Sequence, residues 1–354
     1  MNTCSIFSSA ADRPAAEPLA ALQADLDAVA DRTRDIGPWR SGAFEALARH
    51  GLLGGFVPAD CGGSAASEPA INAALVAVAE RCLTTALALT QWAAAVRVIA
   101  GADAAVRGRI LPRLAAGAEW TTVGIAQLTT SRQHDGRPAL AAVGDGDAWQ
   151  LDGTCPWVTG ADACDTLVVG AALPEGGRGF FLVNAQAAGL TIDLPFEMLA
   201  LSGSRTAAVR LQRVRPAAVL ALAGDPPRTG GLATTALAIG ATRAALAVLH
   251  REAAARPALA PVVIGLDAEL GAVHHDLLAA ATVGADQPRR ERLRATATSL
   301  VIRAAQAALT ASKGAGFVTG HPAERLAREA HFFLVWSCPE AVSAAVMCEL
   351  AGLP

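Results

Sequence analysis

The sequence predicts a mainly helical chain interrupted by a β domain, and three observations carry that prediction. Alanine-rich segments with apolar residues three and four apart run from about residue 17 to 117, and again from about residue 230 onward. Between them, from about residue 120, lie short segments rich in β-branched and aromatic residues, punctuated by Gly, Asp and Pro. No internal repeat or low-complexity linker is present. The 354 residues therefore divide into a helical domain over 1–117, a β domain over 118–223 and a helical bundle over 224–354.

Each element follows from local pattern. "EPLAALQADLDAVADRTRDI" and "GAFEALARHGLL" carry the helical period. "VPADCGGSAASEPAINAALVAVAERCL" has a proline and paired glycines, then a polar start to a long helix. "GADAAVRGRILPRLAAGAEW" predicts a further helix broken at Pro112, since proline lacks the amide a helix needs. "WTTVGIAQL", "DTLVVGAAL", "GRGFFLVN", "LTIDLPF" and "TAAVRLQRV" predict strands of a small barrel or sandwich. In "AWQLDGTCPWV", Asp152-Gly153 between two strand-like runs predicts a hairpin. Four long helical segments follow, broken by "RPALAP", "GADQP" and "GFVTGHP", and they predict a bundle.

Composition narrows the function. The apolar fraction of 53% supplies a core, although aromatics are only 4% and tyrosine is absent. A net charge of −3 with no basic stripe argues against a nucleic-acid partner. Seven scattered cysteines form no Cys-x-x-Cys pair and no zinc spacing with histidine, which points to reduced cytosolic thiols and no metal. The start "MNTCSIFSSAADRPAAEP" lacks the regions of a secretory signal. No uninterrupted apolar run of about 18 residues stands out as a membrane span. The expectation is a cytoplasmic chain without a membrane partner.

Without a family the chemistry stays silent. No nucleophile elbow, Walker loop or dinucleotide fingerprint is present. "KGAGF" at 313–317 follows a helix and reads as a C-cap before it reads as a phosphate cradle. His274 and His275 are adjacent, so they point to different faces of their helix and suit solvent or a cap better than a metal. Trp157 in "PWVTGA" reads as a core aromatic.

Five motifs in order change that picture. "FEALARHGLLGGFVPADCGGS", "LPRLAAGAEW", "WQLDGTCPWVTGADACDTLVV", "LSGSRTAAVRLQRVRPAAVL" and "KGAGFVTGHPAERLAREAHFFLVW" together resemble the acyl-CoA dehydrogenase family of flavoproteins over about residues 20–352. The resemblance implies an α-helical domain, a middle β-barrel domain and a C-terminal four-helix bundle, assembled as a homodimer or homotetramer. It implies FAD held between the β domain and the bundle, partly against a neighbouring subunit. Trp157 and Thr159 stand where the family packs a tryptophan beside the flavin and hydrogen-bonds near its N5. Arg256 falls where an arginine pairs with the pyrophosphate, a task suited to a permanently charged fork. Gly314 and Gly316 fall in a glycine turn beside the adenosine half.

The departures from the family are concentrated at the same places. The "TEPxxGSD" loop is here "QLTTSRQHD", with Gln127 for the flavin-contacting Thr and Arg132 and Gln133 for Gly and Ser. Thr310, Lys313, Leu259 and Pro339 replace a Gln, a Gly, a Phe and a Thr. These changes weaken the implied grip on oxidised FAD. The family's catalytic Glu is Ser337, and serine cannot take a proton from carbon near neutral pH. The alternative base position at the start of the first bundle helix is Gly230, followed by Gly231.

Three readings remain open. The first is an FAD-dependent oxidoreductase acting on a CoA or carrier-protein thioester with a relocated base. Glu340, Glu197 or the thiol Cys338 are the candidates, unless Glu340 only favours a helix start and Cys338 is a buried apolar thiol. The second is a flavin-dependent monooxygenase using reduced flavin from a reductase and oxygen, with Ser337 and His331 lining its pocket, unless His331 is only a partly exposed basic position. The third is a non-catalytic paralogue. An electron-transfer partner belongs to the first and a flavin reductase to the second.

Overall fold

The structure, a computed structural model, describes residues 5–7, 13–34, 42–128, 138–144, 148–222, 231–336 and 340–352. The chain opens with six helices: α1 (Ala16–Arg34), α2 (Ala43–Arg49), α3 (Leu52–Gly55), α4 (Glu68–Arg81), α5 (Leu83–Ala100) and α6 (Ala104–Ala115). Ser67 caps α4 by accepting the Ala70 amide at 3.3 Å, and Asp103 caps α6 by accepting that of Val106 at 2.9 Å. The predicted break at Pro112 does not occur, because α6 continues through it to Ala115. Pro112 lies in the last turn, where its missing amide removes a single ladder bond and the helix ends soon after.

An eight-stranded sheet follows, in the order β6-β7-β3-β2-β4-β5-β8, with β1 joined in parallel to β4. Its strands are β1 (Thr121–Gly124), β2 (Leu140–Val143), β3 (Gln150–Val158), β4 (Thr166–Ala172), β5 (Arg178–Asn184), β6 (Leu190–Ile192), β7 (Ala207–Val214) and β8 (Ala218–Leu222). The hairpin expected at Asp152-Gly153 is absent: β3 runs straight through, with a register shift between Leu151 and Gly153 against β7. Gly153 has φ +131°, and a Cβ there would stand 2.2 Å from the Ala139 carbonyl oxygen. A turn and a bulge both demand such a residue, which is why the pair misleads.

Trp120 ties the sheet to the helices. Its ring stacks on Trp92 of α5 at 6.2 Å and meets Phe44 of α2 edge-on. Its amide donates to Asp165 at 2.7 Å, just before β4.

The bundle comprises α7 (Gly231–Ala255), α8 (Ala260–Val283), α9 (Gln287–Ser312), α10 (Pro322–Ala330) and α11 (Glu340–Leu350). Helix α7 lies against α4, α8 and α9, so it is apolar almost all round. By length and composition α5 and α7 are apolar enough to cross a membrane, but most of each is buried inside this chain's own core. The α7–α4 contact closes at Gly240, where a Cβ would stand 2.4 Å from the Val76 carbonyl oxygen and 2.6 Å from Ala79 Cβ. Backbone on one side leaves no room to relax. Gly240→Ala is expected to cost about 1–3 kcal/mol in urea unfolding. An unchanged midpoint would show that α4 can move away.

Helix α10 is pinned to the sheet side by Arg328, whose Nη1 donates to the Leu199 carbonyl at 2.9 Å while its other nitrogens hold Glu324. The Arg328 hydrogen bonds hold the Glu324 carboxyl below its ordinary 4.5, more than burial raises it. With a lowered folded pKa, its stabilisation is present above about pH 4.5 and is lost as pH falls through the folded value. Glu324→Gln is expected to flatten that acid slope. Superimposable stability curves for the two proteins between about pH 2 and 6 would show the pair contributes nothing.

Candidate functional site

Trp157 is not the core aromatic its context suggested. It is 53% exposed near the end of β3, resting on Phe196 with ring centroids 4.7 Å apart. Two residues on, Thr159 is buried in a string of hydroxyls. Its Oγ1 lies 3.2 Å from Thr206 Oγ1, which lies 2.9 Å from Ser204 Oγ, and its carbonyl accepts from Thr122 Oγ1 at 2.7 Å. Ser204 is fully buried, its amide donating to the Leu201 carbonyl at 2.8 Å and its carbonyl accepting from Gly160 at 2.9 Å. In each pair either hydroxyl can be the donor, so the string links Ser204, Thr206 and Thr159 without fixing which way its protons run. Ser204 and Thr206 were not singled out from sequence. The Ser-x-Thr spacing was the signal available.

The loop that carries Ser204 is held in shape locally. Leu201 and Arg205 adopt left-handed φ of 64° and 50°, and Arg205 Nε reaches both Asp162 carboxylate oxygens at 2.8 and 2.9 Å. The same loop carries Phe196 against Trp157, and with it the exposed Glu197.

Gln127 faces the other way. Its amide donates to the carbonyls of Gly170 at 2.8 Å and Gly124 at 3.0 Å, inside the sheet and beside Cys155 Sγ. Burial pushes the Cys155 thiol up to about 12, so it is a packing group and not a nucleophile.

At the bundle's end a second group gathers. Arg256 follows α7 and its Nη2 donates to Glu252 Oε2 at 2.7 Å and to the Ala311 carbonyl near the end of α9. A 3₁₀ turn, Lys313–Phe317, comes next, with Lys313 at φ +53° and open space around Gly314. Gly316 is buried, with Ser312 Cβ 2.6 Å from where its own Cβ would be. Arg256, Gly314 and Gly316 thus lie together, while Trp157 and Thr159 belong to the sheet. No hydrogen bond or ion pair among the described residues joins the two sets. Leu259 is half-buried and Thr310 exposed.

The segment where the family's Glu falls is approached from α9. Arg294, buried, donates through Nη2 to the carbonyls of Phe333 at 3.3 Å and Trp336 at 3.2 Å, with its guanidinium 5.5 Å above the Phe333 ring. Ser337, Cys338, Pro339, Gly230, Arg132 and Gln133 lie outside the described residues. Glu340 is the exposed first residue of α11, and His331 is exposed with Nδ1 2.7 Å from the Ala327 carbonyl. His274, its pKa lowered first by burial, lies 3.3 Å from Arg243 Nη2, and no metal-binding cluster occurs among the described residues. Depressions of about 370 and 230 Å³ lie between α2 and the Gly117–Trp120 stretch, on neither group.

Helices, a branched eight-stranded sheet and a second helical bundle define a fold of the acyl-CoA dehydrogenase kind, and comparison with known proteins agrees. A solved glutaryl-CoA dehydrogenase bound to glutaryl-CoA superposes with TM-score 0.80 at 17% identity, over 97% of this chain and 98% of its own. KijD3, solved with FMN and a dTDP-linked amino sugar, gives 0.76 at 20% identity, over 100% and 97%. In sequence the chain is 28% identical over 239 residues to "Probable acyl-CoA dehydrogenase YngJ" of Bacillus subtilis (strain 168), a match covering 61% of each protein. The matched segment thus spans about three fifths of that relative's length. No protein-family model matches. The chain thus has the acyl-CoA dehydrogenase fold and is similar in sequence to a curated acyl-CoA dehydrogenase.

Replacing Thr206 by valine breaks the hydroxyl string in its middle. Thr206→Val is expected to lower stability by about 1–3 kcal/mol, the cost of stranding buried hydroxyls. Full stability in urea would show that Thr159 and Ser204 find other partners.

Proposed function

We propose that this chain is an FAD-dependent oxidoreductase acting on an acyl thioester, CoA or carrier-protein bound, with its proton-abstracting base moved away from position 337. The observation that carries the reading is the Ser204–Thr206–Thr159 string ending beside the exposed face of Trp157. A bound flavin supplies hydride acceptance at N5. Thr159, its hydroxyl held in place by Thr206, suits a hydrogen bond at that edge, and the broad face of Trp157 suits covering the ring. That end of the site fits a flavin. The phosphate end fits less well, since Arg256 is already engaged by Glu252 and the Ala311 carbonyl.

Of the carboxylates, Glu197 is the better placed, on the loop that sets Phe196 against Trp157. Exposed apolar side chains on α8 (Ile264 and Val283) and at Phe317 and Val318 suit burial against further copies of the chain, as a dimer or tetramer. An electron-transfer protein is the expected partner.

A monooxygenase using reduced flavin and oxygen is the second reading. Ser337 at the base position and the engaged Arg256 favour it, and KijD3 shows that the fold accepts FMN.

The deciding measurement is the visible spectrum after FAD is added and the protein desalted, followed by anaerobic addition of an acyl-CoA. Retained flavin that bleaches with acyl-CoA, and bleaches far more slowly in Glu197→Gln but not in Glu340→Gln, is the expected result. Failure to retain or bleach flavin, with turnover appearing only with a flavin reductase and oxygen, would establish the second reading instead.

A further inference from the structure

The arginine that stands where a cofactor's pyrophosphate is expected has an acid of its own. Glu252 lies one turn back on α7, and its Oε2 is 2.7 Å from Arg256 Nη2. The same nitrogen donates to the Ala311 carbonyl, two residues before Lys313–Phe317. Both side chains are about two-thirds buried, at 30% and 33% exposure, so water screens the pair only in part.

An arginine holds phosphate through a fork of donors and an uncompensated positive charge. Here the charge is balanced before any ligand arrives, and one arm of the fork is committed twice. An arriving phosphate must displace the carboxylate or sit beside it, and like charges in one partly buried place repel. A Cβ at Gly314 would meet nothing within 4 Å, so no side chain stands over that turn.

We propose that Glu252 is an internal competitor for the phosphate end of the cofactor, occupying Arg256 and lowering the chain's grip on FAD. This rests on the flavin reading above. It turns the affinity for FAD into a property of a single carboxylate on α7. A reductase could then deliver flavin and reclaim it, whereas a permanently held cofactor would want Arg256 free.

The test is titration of the full chain with FAD and with riboflavin, which has no phosphate, followed by flavin fluorescence. Glu252→Gln keeps the size and an acceptor for Arg256 but removes the charge. It is expected to tighten FAD about tenfold, the scale of one charge-assisted contact, while riboflavin changes by less than about twofold. Arg256→Met is expected to shift FAD binding by less than about threefold in the unaltered chain, and to abolish the gain when combined with Glu252→Gln. If the pair only fastens α7 to α9, Glu252→Gln leaves FAD binding unchanged or weakens it, and the proposal is overturned. A loss of about tenfold on Arg256→Met alone would overturn it too, since the arginine would then be free to bind phosphate. If neither flavin binds any of the proteins, the flavin reading itself fails and the competitor role with it. That outcome is distinct from riboflavin bound equally by all of them.

Discussion

The arrangement depends on α7 being able to lie directly against α4. Gly240 sits near the middle of a helix of 25 residues, about 37 Å long, with the Val76 carbonyl closer than any side chain would permit. With α9 on another side, α7 becomes an apolar rod, fixed in rotation and height. Its two ends then have set places. One opens at Gly231. The other delivers Glu252 and Arg256 to the end of α9.

The sheet makes the complementary half by different means. The bulge at Gly153 keeps β3 paired with both β2 and β7 while changing its course, and the strand ends in exposed Trp157 and buried Thr159. Thr159 is held in place by Thr206 and Ser204, whose loop is itself held by left-handed Leu201 and Arg205 and by the Arg205–Asp162 pair. Arg328 then fastens that region to α10. Rigid packing sets one group of residues and a polar network sets the other.

The helices were legible because their period is long and repeated, and the capping residues Ser67, Asp103 and Asp286 stand where helices begin. Two local misreadings have one origin. Asp152-Gly153 and Pro112 report a backbone requirement, positive φ or a missing amide, and more than one structure meets each requirement. The motifs also carried the resemblance that named Trp157, Thr159 and Arg256. What stayed hidden was pairing. An acid four residues before an arginine is routine on helices, so nothing marked Glu252 until its distance from Arg256 was known. The inward turn of Gln127 was equally invisible, because it depends on carbonyls of Gly124 and Gly170 that meet only in the folded sheet.

Arg294 bears on what the serine at position 337 implies. A buried guanidinium that holds the carbonyls of Phe333 and Trp336 fixes the chain up to the residue before Ser337. Losing that clamp strands buried carbonyls, so the approach to position 337 is expensive to rearrange. The sequence places a serine at that position. A hydroxyl delivered there can donate or accept a hydrogen bond, yet it cannot hold a proton taken from carbon. Proton abstraction, if this chain performs it, has to come from another segment with its own support. The loop through Glu197 has such support in the Phe196–Trp157 contact, the Met198–Ser202 hydrogen bonds and the Arg328 bond to Leu199. Glu340 has the opposite standing. It opens a helix whose first turn favours a negative charge whether or not any substrate is near, and that is sufficient reason for an acid there.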